Sequence, residues 1–172
     1  MSMDHVIKIL DIKHIAEDGS ILWQAENLTN MLHITGEEYI LRAIFMGGPS
    51  NSYIPTYYYF GLDNRTTLAA TDTLVTVGLT EPATYGYSRV AVNSTAQFTV
   101  SVALSTHNVA TGPIVTYRAV GGTWGPVRNL FLSTTSDNSG YLVASCALLA
   151  PITVTAGQQI SARMGLGLKD CP

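Results

Sequence analysis

Charge is what this sequence has least of. From Ala91 to its last residue it carries six charged side chains: Arg118, Arg128, Asp137, Arg163, Lys169 and Asp170. That half has no glutamate and one histidine, His107. Charged residues make up 12% of the whole chain, about half the usual share of roughly 25%. Such a stretch has little with which to move a proton, hold a metal or grip a phosphate. Composition therefore argues against enzymatic chemistry, and no cofactor is expected.

Other absences narrow the classes further. The net charge is −3, and no basic run offers a footprint for nucleic acid. No apolar run reaches the roughly eighteen residues of a membrane span; the longest, Tyr141 to Ala150, is ended by Pro151. Met1-Ser2-Met3-Asp4-His5 has neither the basic patch nor the apolar core of a signal peptide. Without that signal, the sequons at Asn27, Asn64 and Asn93 are read as chance matches in a Thr-rich chain. The two cysteines, Cys146 and Cys171, have no metal spacing. Cys146 lies in an apolar run and reads as a buried, inert thiol; a disulfide is compatible with the count but not called for.

Catalytic constellations are equally thin. The histidines are His5, His14, His33 and His107, with no His-x-x-x-His pair and no serine in a nucleophile elbow. His5 and His14 read as sheet-face or surface residues. Carboxylate pairs for sugar hydrolysis come only from the first half: Glu17, Asp18, Glu26, Glu37, Glu38, Asp63, Asp72 and Glu81. Asp63 and Asp72 flank a Thr-rich loop; calcium binding is one reading, a solvated turn the plainer one. Asp137-Asn138-Ser139-Gly140 lacks the repeated acids of a calcium loop and reads as a hairpin turn with a left-handed glycine. Gly121-Gly122-Thr123-Trp124-Gly125 has no lysine and no following helix, so it is not a phosphate loop. Trp124 reads as core or interface packing, with a ligand platform as the alternative.

What is present is sheet-forming material. Hydrophobic residues make up 47% of 172 residues, enough for one well-buried domain over 1–172. Val, Leu, Ile and aromatics alternate with Ser, Thr and Asn. Val6–Ala16 and Ile21–Ala25 read as a hairpin around Asp18-Gly19-Ser20. Thr35-Gly36-Glu37-Glu38 has the capping-box pattern, opening a short helix over about 36–46. Its stripe Ile40, Leu41, Ile44 and Phe45 should cover a sheet or a neighbour, Glu38 precedes Arg42 by one turn, and Gly47-Gly48-Pro49 ends it. The segment 1–50 is thus a hairpin plus helix, packing on the domain or on a neighbouring subunit.

After the helix, strands are expected at Tyr57–Phe60, Leu74–Leu79, Tyr87–Val92, Phe98–Leu104, Ile114–Val120, Val127–Leu132, Tyr141–Leu149 and Gln159–Leu168. Turn signals separate them, including Glu81-Pro82, Tyr85-Gly86, Thr111-Gly112-Pro113 and Ala156-Gly157. The spacing predicts a mainly β protein: an antiparallel β-sandwich, with a jelly roll among its forms. Tyr53, Tyr57, Tyr58 and Tyr59 form the strongest interaction signal. At strand spacing Tyr57 and Tyr59 share one face, and Tyr58 and Phe60 the other. One face is core; the other suits a protein or sugar partner, or packs beneath the helix. Tyr53, Tyr57, Tyr59 and Trp124 are the interface candidates.

Several segments resemble, in order, a group of tailed-bacteriophage virion proteins. Asn27-Leu28 with Thr35-Gly36-Glu37-Glu38-Tyr39-Ile40-Leu41 and Gly47-Gly48 resembles their helix after an N-terminal hairpin. Tyr58-Tyr59-Phe60-Gly61-Leu62-Asp63-Asn64-Arg65 resembles their aromatic strand and turn. Glu81-Pro82 with Gly86-Tyr87-Ser88-Arg89, then Trp124 to Leu132, Gly140-Tyr141-Leu142 and Ala156-Gly157-Gln158, continue the order. The resemblance covers most of the chain. It implies a non-enzymatic virion β-structure, found as capsid decoration (cement), head-fibre or tail-associated protein. The expected partners are the major capsid protein or other virion proteins and further copies of the chain, as dimer or trimer. The expected location is the virion, assembled in the bacterial cytoplasm. A tail or baseplate component and a carbohydrate-binding module for host recognition are the alternatives.

Overall fold

A computed structural model describes residues 3–29, 31–46, 53–102 and 107–170. Among the described residues, ten strands form two antiparallel five-stranded sheets. The first sheet runs β2 (Ile21–Thr29), β1 (Met3–Ile15), β10 (Gln159–Asp170), β7 (His107–Arg118), β6 (Thr99–Val102). The second runs β3 (Met31–Leu32), β9 (Leu142–Val154), β8 (Trp124–Ser133), β4 (Tyr57–Asp63), β5 (Val90–Asn93). The helices among the described residues are α1 (Ile34–Phe45) and α2 (Leu74–Gly78).

Strand alternation builds the core between the sheets. Across the first sheet Ala25, Ile12, Ala162 and Val115 stand in register and are buried. Across the second, Leu62, Leu130 and Cys146 form one buried row, and Phe60, Leu132 and Ala144 the next. The expected mainly β sandwich is therefore the architecture. The successive pairs β1–β2, β4–β5, β6–β7 and β8–β9 are antiparallel neighbours within a sheet, while the connections β2–β3, β5–β6, β7–β8 and β9–β10 pass from one sheet to the other. The N-terminal hairpin is integral, since β1 lies between β2 and β10.

The second sheet is covered on its outer face too. Phe131 points outward and packs with Leu68, Leu74, Val77 and Leu142, a smaller buried cluster under α2 and the segment leading to it. Gly61 makes room for it: a Cβ there would stand 2.1 Å from the Phe131 ring.

Several expectations need correcting. Leu74–Leu79 is not a strand but contains α2. Thr73 caps this helix by accepting from the Thr76 amide, and the Thr76 hydroxyl accepts from the Thr73 amide in return. Leu74 and Val77, one turn apart, are its buried residues. The capping box expected at Thr35 is absent: His33 is the N-cap of α1 and makes no side-chain capping bond, while the Thr35 hydroxyl donates to the Leu142 carbonyl. Thr111-Gly112-Pro113 is no turn; it lies inside β7, where the pairing with β10 slips between Arg163 and Gly165. Pro151 likewise does not end β9 but sits in a bulge opposite β8, where its missing N–H is tolerated. Gly47-Gly48-Pro49 lies outside the described residues.

Candidate interaction surfaces

Asp63, Arg65 and Asp72, together with Asn129, gather on the outer face of the second sheet. Asp63 and Asn129 are cross-strand neighbours there. The Asn129 amide donates to Asp63 Oδ1 at 3.0 Å and to the Arg65 carbonyl at 2.7 Å. Asp63 also accepts from the Arg65 amide and the Thr80 hydroxyl, and Arg65 Nη1 reaches Asp72 at 3.0 Å. Burial raises the Asp72 carboxyl, but hydrogen bonds from the Ala69 amide and Arg65 outweigh it, so its pKa is lowered. Asp63 is fully buried, which corrects the solvated turn expected of it. Among the described residues no group of three or more His, Cys, Asp or Glu has metal-holding geometry.

Beside this network His33 Nε2 and Ser145 Oγ lie 2.8 Å apart, both residues buried. The imidazole Nδ1 is buried without a hydrogen-bond partner. Burial lowers the His33 pKa, partly opposed by Asp72. Ser145 and Asn129 also line a cleft of about 350 Å³ with Met31, Thr66, Thr67, Leu68 and Ala147. The spacing is that of a base and a hydroxyl nucleophile. The pair ties the start of α1 to β9, alongside the His33 amide bond to the Val143 carbonyl at 3.1 Å. No sequence signal marked Ser145, because it sits in an apolar strand 112 residues from its partner.

A second buried ion pair anchors the loop before β5. Arg89 grips Glu81 bidentately through Nε and Nη2. It also donates to the Thr135 and Asp137 carbonyls and to Asn138 Oδ1, and lies over the Phe131 ring at 5.3 Å. The Tyr87 hydroxyl donates to Glu81 at 2.6 Å and accepts from the Leu62 amide at 2.8 Å. The 137–140 turn is thus a seat for Arg89. Asp137 Oδ1 accepts from the Ser139 amide and hydroxyl, which lowers its pKa. Gly140 is required there by crowding against Thr134 and Thr135, rather than by the left-handed backbone expected of it.

The interface candidates separate clearly. Trp124 is 5% exposed, packed edge-on to Tyr87 and belonging to the main core, so it is no ligand platform. Tyr58 turns inward, packs on Phe98, and shares a hydrogen bond with Tyr39 of α1. Burial, then that bond, raises the Tyr39 pKa. Tyr57, 44% exposed, and half-buried Tyr59 point away from the core as parity required. They line a shallow groove of about 320 Å³ with Pro55, Thr56 and Thr134 to Asp137. Tyr53 is half-buried and its hydroxyl accepts from Arg42.

Several large apolar side chains are exposed elsewhere, on α1. Its side toward the sandwich is Gly36, Tyr39, Ile40 and Ala43, of which Ile40 belongs to the expected stripe. Leu41, Ile44 and Phe45, with Ile34, Met46 and Ile54 nearby in sequence, stay largely exposed. Cys146 is in the core, its thiol pushed up to about 12 by burial. Cys171 lies outside the described residues, as do the side chains of His5 and His107. Among the described residues no helix is long and apolar enough to cross a membrane. No protein-family model matches this chain, and no curated protein matches it.

Proposed function

We propose that this protein is a non-enzymatic structural component of a tailed-phage virion, a decoration (cement) protein that strengthens the capsid by contact. One observation carries the reading furthest. β4 is held between β8 and β5 with Phe60 and Leu62 in the core, and from that fixed strand Tyr57 and Tyr59 are turned outward onto a groove rimmed by hydroxyls. Rigid aromatics displayed on a scaffold are the usual anchors of protein interfaces. The ionisable groups described above support it, since most bind one another rather than face a cleft. A specific contact needs about 800 Å² per partner, and symmetric repetition over a shell multiplies weak contacts. Purified protein should bind emptied or expanded capsids and raise their melting temperature, and Tyr57→Ser with Tyr59→Ser should weaken both effects. Absence of binding and of any thermal shift would reject the proposal.

A tail or baseplate position would use the same surface, and immunolabelled electron microscopy of particles separates it from the capsid. The groove also favours a second reading, sugar binding, because an exposed Tyr57 ring stands beside the Asp137 carboxylate and several hydroxyls. Glycan-array hits that vanish with Tyr57→Ala would select it.

A further inference from the structure

Helix α1 has two apolar sides. At 3.6 residues per turn, Gly36, Tyr39, Ile40 and Ala43 face the sandwich, while Ile34, Leu41, Ile44 and Phe45 form a stripe on the side away from it. Phe45 is 78% exposed and Ile44 64%. The stripe borders a mostly apolar groove of about 470 Å³ between α1 and the end of the sandwich, lined by residues including Ile44, Ile54, Phe98 and Val100. Ile34, Leu41, Ile44, Phe45, Met46 and Ile54 together leave about 600 Å² of large side chains in solvent, taking roughly 180 Å² for each fully exposed. That is the upper end of the roughly 300–600 Å² that the largest apolar patch of a monomer covers, and such patches are often functional.

We propose that two copies of this chain associate through α1, the helices antiparallel across a two-fold axis, with Ile44 and Phe45 of each at the mouth of the other's groove. The area is most of the roughly 800 Å² per partner that a stable interface needs, and the polar rim of the helix supplies more. Charge selects the orientation. Glu38 and Arg42 already pair with one another along α1 at 2.8 Å, which leaves Glu37 as the remaining acid, in the first turn. Antiparallel apposition keeps the two Glu37 side chains apart and opposes the helix dipoles; parallel apposition sets them against each other. A closed isologous contact of this kind gives a dimer and leaves Tyr57 and Tyr59 unused. The inference rests on the reading that the protein works by contact area, and it assigns this face to a second copy rather than to the shell.

Sedimentation of the full chain across a wide concentration range should show a monomer–dimer equilibrium. Phe45→Asp should weaken association at least about tenfold, because each dimer would bury two carboxylates against apolar surface. Its circular dichroism should match the parent, and Ile44→Asp provides an independent repeat. Leu41, at the centre of the stripe, should meet its own counterpart, so Leu41→Cys in a Cys171→Ser background should form an intermolecular disulfide where Phe45→Cys does not. A monomer at every concentration, a trimer, or a dimer indifferent to both aspartates would overturn the proposal. A monomer that loses capsid binding on Phe45→Asp would also overturn it, giving the face to the shell. Failure of capsid binding with the dimer intact would instead remove the functional reading alone.

Discussion

Gly36 of α1 lies directly under the backbone of β9: a Cβ at this glycine would stand 2.1 Å from the Val143 carbonyl oxygen. The obstacle is backbone, which cannot swing aside as a side-chain tip would. Helix propensity alone would make Gly36→Ala stabilising by about 1 kcal/mol. Overpacking of this kind costs about 1–3 kcal/mol and here pushes α1 off the sheet. Urea denaturation should therefore show a net loss of stability, and a gain would mean that α1 is not seated as described.

The Glu81–Arg89 pair has side chains only 11% and 5% exposed. Removing the cation strands a buried carboxylate, so Arg89→Met should cost about 3–5 kcal/mol. Arg89→Lys should recover only part, since lysine cannot make the bidentate grip or cover Phe131 in the same way. In a double-mutant cycle, adding Glu81→Gln to Arg89→Met should cost less than the sum of the single changes. Strict additivity would show that the two side chains do not act as a pair.

His33 gives stability a pH dependence of definite sign. Burial depresses its folded-state pKa below the ordinary value of 6.5. The unfolded chain then takes up the proton first, so the contribution is fully present above about 6.5 and is lost as pH falls from there toward the folded pKa. The loss is at most about 1.4 kcal/mol per pH unit for one proton. Asp72, also depressed, acts in a lower window, since its ordinary value is 3.8. Unfolding free energies at pH 7.5 and 5.5 should differ in the parent and converge in His33→Gln. An equal slope in both proteins would remove His33 as the cause.

Trp124 and Tyr57 should respond oppositely to truncation. Trp124→Ala empties a core site and should cost about 3–5 kcal/mol. Tyr57→Ser touches an exposed ring and should change stability by no more than about 0.5 kcal/mol while weakening capsid binding. Thermal melts of the isolated protein, set beside capsid pull-downs, check both.

Much of the sandwich was legible because a two-residue period survives in single strands. Tyr57 through Phe60 turned their rings to the faces that parity assigned. The helix stripe divides: Ile40 packs on the core while Leu41, Ile44 and Phe45 stay exposed, because Gly36 and Tyr39 decide which side docks. α2 was misread because Leu74, Val75 and Val77 are good strand formers; the Thr73–Thr76 cap outweighs them. The polar network was not legible at all. His33 and Ser145, or Asp63 and Asn129, become neighbours only through sheet pairing between distant strands, which no local pattern encodes.

Met3 and Asp170 face one another at the end of the β1–β10 ladder. Any polypeptide joined before Met3 or after Asp170 would therefore leave the ladder at the same end. A brief connector would close the backbone into a ring, and cutting that ring at exposed Gly19, where a Cβ would meet nothing within 4 Å, would preserve every strand pairing. Cargo could then be attached at the opposite end of β1 without disturbing either sheet.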